Sequence, residues 1–276
     1  DPAQPRARLL ASLRPEGRAL RLEALLERPL SGQPPAALDE AQRRRLLAQA
    51  PAGAASLALV QDPAALRQEP LLRGLVDRAL LPAPAAGPLP SLIADRAAGP
   101  LLSLAVADDW LMVSPAADPA AAAVEAPLAA AGLIPAPLEV DGRPFTVWTR
   151  LEAGAGRAGR DGRDRLQAPL EGWRSERDGL AVWGRSLALL EREGDARGAR
   201  PRDRQLEALE RPGAPIQWAL DAASAQALLA GWAPWRSLAG LGGGPLDGSI
   251  RGLALALEPG GDALRLRGLL ELGAGR

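Results

Sequence analysis

At 276 residues with 47% hydrophobic content, the chain can bury a sizeable core as one large domain or two small ones. Its 33 basic and 33 acidic side chains cancel, which excludes the one-signed field that draws a protein to nucleic acid or to an anionic membrane surface. The chain has no Lys, Asn, Tyr, His or Cys, so a Ser-His-Asp triad, a thiolate nucleophile, a Schiff base, a P-loop lysine, a histidine metal ligand, a disulfide and a Cys-based zinc site are all excluded.

Ala, Leu, Arg, Gly and Pro dominate, and every basic residue is Arg, a pattern that fits a GC-rich coding sequence. Arg is therefore weak evidence for phosphate recognition here, because Lys was not in use. The lack of Cys leaves the redox compartment undecided. No apolar run approaches the roughly 18 residues that a membrane span needs. Arg6, Arg8, Arg14, Arg18 and Arg21 interrupt every early apolar stretch, so the opening segment is not expected to act as a signal peptide.

In chain order, residues 1–53 are expected to form a helical segment. Leu9, Leu10 and Leu13 precede Pro15, and Leu20, Leu22, Leu25 and Leu26 follow. From Pro35 to Ala50, Leu38, Leu46 and Leu47 lie on a helix face opposite the run Arg43 to Arg45, which is expected to be solvated. The texture changes at Ala54. Ser56 to Val60 reads as a short strand, and Asp62 with Pro63 suits the cap and first turn of a helix. That phrase returns at Ile216 to Leu220, where Asp221 precedes a helical stretch from Ala222 to Trp232.

A second phrase also recurs. Leu101 to Val106 and Trp110 to Ser114 flank Asp108 and Asp109 as a hairpin, and Pro119 to Ala131 reads as a helix. Leu170 to Arg174 and Leu180 to Trp183 flank the tight-turn pair Asp178 and Gly179, and Ser186 to Glu193 reads as the following helix. Further hairpins are expected over Leu138 to Leu151, around Asp141 and Gly142, and over Ile250 to Leu272, around the Pro259 to Asp262 turn. The segments Gly154 to Arg165, Gly194 to Arg204 and Gly240 to Gly244 read as loops.

Together these elements predict an α+β fold, with a largely antiparallel sheet of hairpins backed by helices on one side. The repeated order predicts an internal duplication. The body, 54–276, then divides into related halves of about 54–151 and 166–276, joined by an Arg- and Gly-rich loop.

Gly154, Gly156 and Gly159 match G-x-G-x-x-G after the strand Phe145 to Leu151, but Arg160, Asp161, Gly162 and Arg163 continue without a helical face. A dinucleotide site needs that loop to open a helix, so no cofactor is expected. Carboxylate chemistry remains available. Asp108 and Asp109 are the nearest acidic pair, in a position that suits a turn. Asp161 and Asp164 lack the ligand spacing of a calcium loop.

Arg157, Arg160, Arg163 and Arg165 are candidate contacts for an anion or lipid phosphate, although neighbouring Asp residues partly cancel their charge. The chain has seven Trp and one Phe. Trp110, Trp148, Trp183 and Trp218 lie in strand segments and are expected in the core. Trp232 and Trp235 flank Pro234 at a helix end and are the candidate ligand or interface residues.

The strand-helix phrases Ser56 to Leu66 and Ile216 to Leu229, the phrase Leu180 to Leu190, and the closing run Gly252 to Gly273, GLALALEPGGDALRLRGLLELG, resemble a cyanobacterial family known as domain of unknown function 3352. The likeness covers roughly 54–273. It implies a domain held outside the cytoplasm, in the periplasm or thylakoid lumen, by an N-terminal membrane anchor, which the sequence itself does not show. The family has no established activity, so the resemblance assigns no functional residue.

Three functional readings follow. The first is a non-catalytic, extracytoplasmic binding or scaffolding domain that meets a protein partner near a membrane. The second is a carrier or sensor of an apolar small molecule or lipid, held between sheet and helices with Trp232 and Trp235 at the mouth. A dry Leu- and Trp-lined cavity of several hundred cubic ångströms would favour it over the first. The third is a carboxylate-dependent hydrolase, which needs two acids facing each other across a cleft.

Overall fold

The computed structural model describes residues 8–27, 36–51, 53–81, 87–118, 120–153, 166–189, 201–232, 235–236, 246–260 and 263–273. Its strands are β1 (Arg8–Glu16), β2 (Ala19–Glu27), β3 (Ser56–Val60), β4 (Leu101–Val106), β5 (Asp109–Pro115), β6 (Leu133–Val140), β7 (Arg143–Arg150), β8 (Glu152–Ala153), β9 (Leu166–Gln167), β10 (Leu170–Arg177), β11 (Leu180–Gly184), β12 (Ile216–Asp221), β13 (Ile250–Gly260) and β14 (Ala263–Leu272). The described helices are α1 (Glu40–Leu47), α2 (Pro63–Gln68), α3 (Pro70–Leu80), α4 (Leu89–Arg96), α5 (Ala120–Ala123), α6 (Glu125–Ala130), α7 (Pro201–Glu207) and α8 (Ala222–Ala230).

Tight turns make the hairpins. Asp141 and Gly142 (φ 52° and 72°) and Asp178 and Gly179 (φ 52° and 67°) both enter the left-handed region, as a type I′ turn requires. Gly17 (φ 60°) does so alone at the first central position between β1 and β2, as in a type II′ turn. Ala107 (φ 54°) fills the equivalent position between β4 and β5 without glycine's freedom.

The hairpins join one twelve-stranded sheet in the order β1-β2-β14-β13-β12-β3-β4-β5-β11-β10-β7-β6, antiparallel throughout. This is the expected α+β class with an antiparallel sheet. Several expected elements recur at the same residues: the strand at Ser56–Val60, the helix capped by Asp62 with Pro63 in its first turn, the strand at Ile216 capped into a helix by Asp221, and the closing hairpin.

The expected helical segment is incorrect over residues 8–27. Residues 8–27 form the hairpin β1–β2, and β2 lies against β14. Leu9, Leu10 and Leu13 imitate a helical face, but Leu20, Leu22, Ala24 and Leu26 alternate with Arg21, Glu23, Leu25 and Glu27 at the period of a strand. Docking on β14 overrides the helix propensity of Leu, Arg and Glu. The expected loop around Gly194 to Arg204 is also corrected at its end, where Pro201 opens α7.

Helices cover both faces of the sheet, not one. Along β3, Ala58 and Val60 meet Leu66 of α2, Leu72 and Val76 of α3, Ile93 of α4 and Leu229 of α8 in one apolar cluster. Leu57 and Leu59 belong to a second cluster with Leu46 and Leu47 of α1 and Leu206 of α7. Both sets of alternating side chains are therefore buried in the middle of the sheet, and the central strands read as continuous apolar runs. Trp110, Trp148, Trp183 and Trp218 are buried, as expected for core aromatics. Trp148 stacks on Trp183 with ring centres 5.7 Å apart.

Charged pins fix the helices. Buried Arg67 of α2 lies 2.6 Å from Asp77 of α3 and 2.7 Å from Asp95 of α4, tying three helices together. The Asp77 contact lies off the hydrogen-bond axis and so acts as an ion pair. On the opposite face, Arg43 is only 5% exposed and donates to Gln217 Oε1 at 3.1 Å, while Gln217 Nε2 donates to the carbonyls of Pro212 and Ala214 at 2.7 and 3.0 Å. The expectation of a solvated Arg43 to Arg45 face thus holds for Arg44 and Arg45 but not for Arg43, whose guanidinium satisfies a buried amide of β12.

Two substitutions test this geometry. Ala107→Gly relieves a left-handed alanine and is expected to stabilise the protein by about 0.5–1 kcal/mol, read as a higher urea midpoint with unchanged slope. In Gly184→Ala the new methyl would lie 2.6 Å from the Trp173 ring. Overpacking there is expected to cost about 2 kcal/mol. A Gly184→Ala protein as stable as the parent would contradict the packing described.

Candidate functional site

The sheet face that carries α3 and α8 is not filled evenly. Helix α3 buries Leu72, Val76, Ala79 and Leu80 over β3 and β4. Helix α8 buries Ala225 and Leu229 over β12 and β13. Where β3 and β4 line the gap between the helices, the residues they present are small: Ser56, Ser103 and Ala105. The result is a cleft of about 450 Å³. Trp218 and Leu220 complete its floor, Leu81 and Leu228 stand on either side, and Arg78, Ser224 and Gly231 lie at its polar margin.

The polar groups of its floor are engaged in structural bonds. Ser103 Oγ donates to the Leu80 carbonyl at 2.6 Å, holding the end of α3 against β4. Trp218 Nε1 donates to Ser56 Oγ at 3.0 Å, so its polar edge is satisfied. Asp221 accepts from Ser224 N at 2.8 Å and fixes the start of α8. Arg78 differs. It is exposed in the last turn of α3 and has no ion-pair partner among the described residues.

A second cleft of about 400 Å³ lies beside the β4–β5 turn, lined by Ala107, Asp108, Asp109, Arg185, Ser186 and Leu189 among others. Asp109 accepts from Trp110 N at 2.8 Å and from the Ser186 hydroxyl, so this carboxylate ties the turn to the segment after β11. Asp108 sits in the turn itself. Other described acids cap helices (Asp39, Asp62, Asp221), make tight turns (Asp141, Asp178) or pair with Arg (Asp77, Asp95, Glu171). No group of three or more metal-ligating side chains occurs among the described residues.

One half-buried charge is perturbed. Burial in the first turn of α7 lowers the Arg202 pKa, partly offset by the charges of Asp221 and Glu271. Arg202 donates to Gln205 Oε1 at 2.7 Å, and Gln205 donates to Glu271 at 2.7 Å. Gly252 leaves room for this relay, since a methyl there would meet Gln205 Nε2. These contacts seat α7 on the sheet.

Of the residues singled out in the sequence, Trp235 is buried at 4% exposure within the α3–α8 core cluster, whereas Trp232 is 43% exposed. Neither lines the cleft, although Gly231, next to Trp232, does. Arg157, Arg160, Arg163 and Arg165 lie outside the described residues, as do Gly154, Gly156 and Gly159. The described residues beside that segment, β8 and β9, pair antiparallel. The cleft residues were not found by motif. Their signal in the sequence is the pattern of small residues at alternate positions, Ser56, Ser103 and Ala105, in otherwise large apolar strands.

No protein family, curated protein or solved structure matches the chain. No described helix is long and apolar enough to cross a membrane.

Ser103→Ala removes the bond that holds the end of α3. A loss of about 1 kcal/mol is expected, the usual net worth of such a bond, measured by thermal or urea unfolding. An unchanged stability would show that the seating of α3 on β4 does not depend on this bond.

Proposed function

We propose that this domain is a non-catalytic binding protein that takes a mostly apolar small molecule into the cleft between α3 and α8. The observation that carries this reading is a space of about 450 Å³, walled by Leu81, Leu220, Leu228 and Trp218. Sites of this kind typically enclose about 300–1,000 Å³ with mainly apolar walls and a few polar groups that orient the ligand. The serine hydroxyls of the floor are spent on structural bonds, which leaves Arg78 and Ser224 at the margin to receive a polar end. A hydrolase reading has less support, because in Asp108 and Asp109, the nearest acidic pair, one carboxylate sits in the β4–β5 turn and the other is bonded to Trp110 N and the Ser186 hydroxyl.

The scaffolding reading draws on the family resemblance, which implies a domain held beside a membrane, outside the cytoplasm. A carrier of an apolar ligand in that place is consistent with both. The topology also supports an internal duplication. A strand, an Asp-capped helix and a hairpin occur in β3–α2–β4–β5, where α3 and α4 are added before β4, and again in β12–α8–β13–β14. The two runs meet through their first strands, with Ala58 opposite Trp218.

Calorimetric titration with decanoate and with the dye anilinonaphthalene sulfonate tests the reading. Binding to the parent protein is expected, and Ala105→Phe, which fills the floor, is expected to weaken it by about tenfold or more, equivalent to about 1.4 kcal/mol. Equal binding by the Ala105→Phe variant would place the ligand elsewhere. Absence of binding by both probes would remove this reading.

A further inference from the structure

The two ends of the sheet are built differently. At one end, β6 pairs with β7 across the Asp141–Gly142 turn, and Val140 opposite Arg143 is the closing hydrogen-bonded pair. Alternation along the ladder turns the backbone of Pro135, Pro137 and Glu139 away from β7, toward the free edge. Two prolines there withhold the N–H groups that an added strand would need.

At the other end, Glu16 opposite Ala19 closes the β1–β2 hairpin. By the same alternation, Leu9, Ala11, Leu13 and Pro15 direct their backbone groups away from β2. Only Pro15, at the end, lacks a donor. No described residue pairs with this edge, and all nine residues of β1 are exposed, with Leu9 at 66%, Leu10 at 61% and Leu13 at 44%. The side chains of Leu9, Ala11, Leu13 and Pro15 share a face with Leu20, Leu22, Ala24 and Leu26 of β2 and with Leu264 and Leu266 of β14. The opposite face carries Arg8, Leu10, Ser12, Arg14 and Glu16 of β1 with Arg21, Glu23 and Leu25 of β2. There Glu16 bonds Arg21 within the hairpin, and this bond holds the Glu16 carboxyl below the usual range.

We propose that the outer edge of β1 is a self-association site, at which a second copy of this chain adds its own β1 antiparallel about a two-fold axis through Ser12. Charge selects this register. Centring on Ser12 places Arg8 opposite Glu16 of the second copy at both ends, Leu9 opposite Pro15, and Ala11 opposite Leu13. Centring on Ala11 would instead set Arg8 against Arg14, a like-charge pair. The chosen register makes Ala11 and Leu13 the hydrogen-bonded pairs and continues the apolar row across the junction. Pro15 removes one bond from each outer pair, and because β6 is blocked by its prolines, the two-fold pairing leaves no open edge and gives a closed pair. Leu10 lies beside Arg14 of the second copy, whose aliphatic stem can cover it.

Sedimentation equilibrium over a micromolar concentration series tests the proposal on the whole chain. A dimer is expected. Ala11→Pro deletes an outward N–H without touching the β1–β2 ladder and is expected to give monomers whose melting temperature matches that of the parent at dilutions where the parent is also monomeric. Arg8→Glu and Glu16→Arg are each expected to weaken dimerisation about tenfold, and the double exchange to restore it, as a charge pair in contact requires. The exchange reads the contact even if proline disturbs the hairpin. A monomer at every concentration, or a dimer in which the double exchange recovers nothing, would overturn the proposal.

Discussion

Burial of both faces of the central strands is the constraint on which the rest of this structure depends. Alternate side chains of β3, β12 and their neighbours point into separate apolar layers, one roofed by α2, α3, α4 and α8 and the other by α1 and α7. Antiparallel sheets commonly leave one face to water, so this arrangement needs strands that are apolar throughout. SLALV, LLSLAV and the interior of IQWALD meet that need. The buried amide of Gln217 in β12 is tolerated because Arg43 and two carbonyls satisfy it.

From that centre the cover thins toward the ends. Among the described residues, helices lie over the middle strands, while β1 is exposed along its whole length and β2 is half-buried. The same gradient separates the two proposed roles. A rigid, double-covered middle can hold a preformed cleft, because packed strands and helices keep its walls apart. An end with one free edge and one leucine face can associate without disturbing that cleft. The proline-blocked edge at β6 shows that openness at β1 is a local property and not a general looseness of the sheet.

The fold was legible wherever local chemistry carried it. Asp–Gly turns, Asp caps and the short apolar strands around them located most hairpins and two helices from the sequence. Failure came where local and long-range signals disagree. Leu9, Leu10 and Leu13 carry helical spacing, yet pairing with β2, itself docked on β14 nearly the whole chain length away, makes a strand. The cover on the second face was less legible: the segment holding α1 reads as a helix but with Arg43 in solvent, and α7 overlaps the end of a loop-like run, because both are short, Arg-rich and weakly periodic and their burial rests on one or two leucines and on Arg43 and Gln205. The cleft was legible only as small residues at alternate strand positions, a pattern that acquires meaning once two helices are known to lie on either side of it. Trp232 and Trp235, more conspicuous in the sequence, do not line it.

Hydrogen exchange followed residue by residue tests the doubly covered middle most directly. Amides of β3, β12 and β13 should exchange only through global unfolding, with free energies equal to the stability measured by urea, while those of β2 exchange through smaller openings. Equal protection from β2 to β12, or rapid exchange at Leu57, Leu59 and Ala219, would contradict a structure organised around a core on each face.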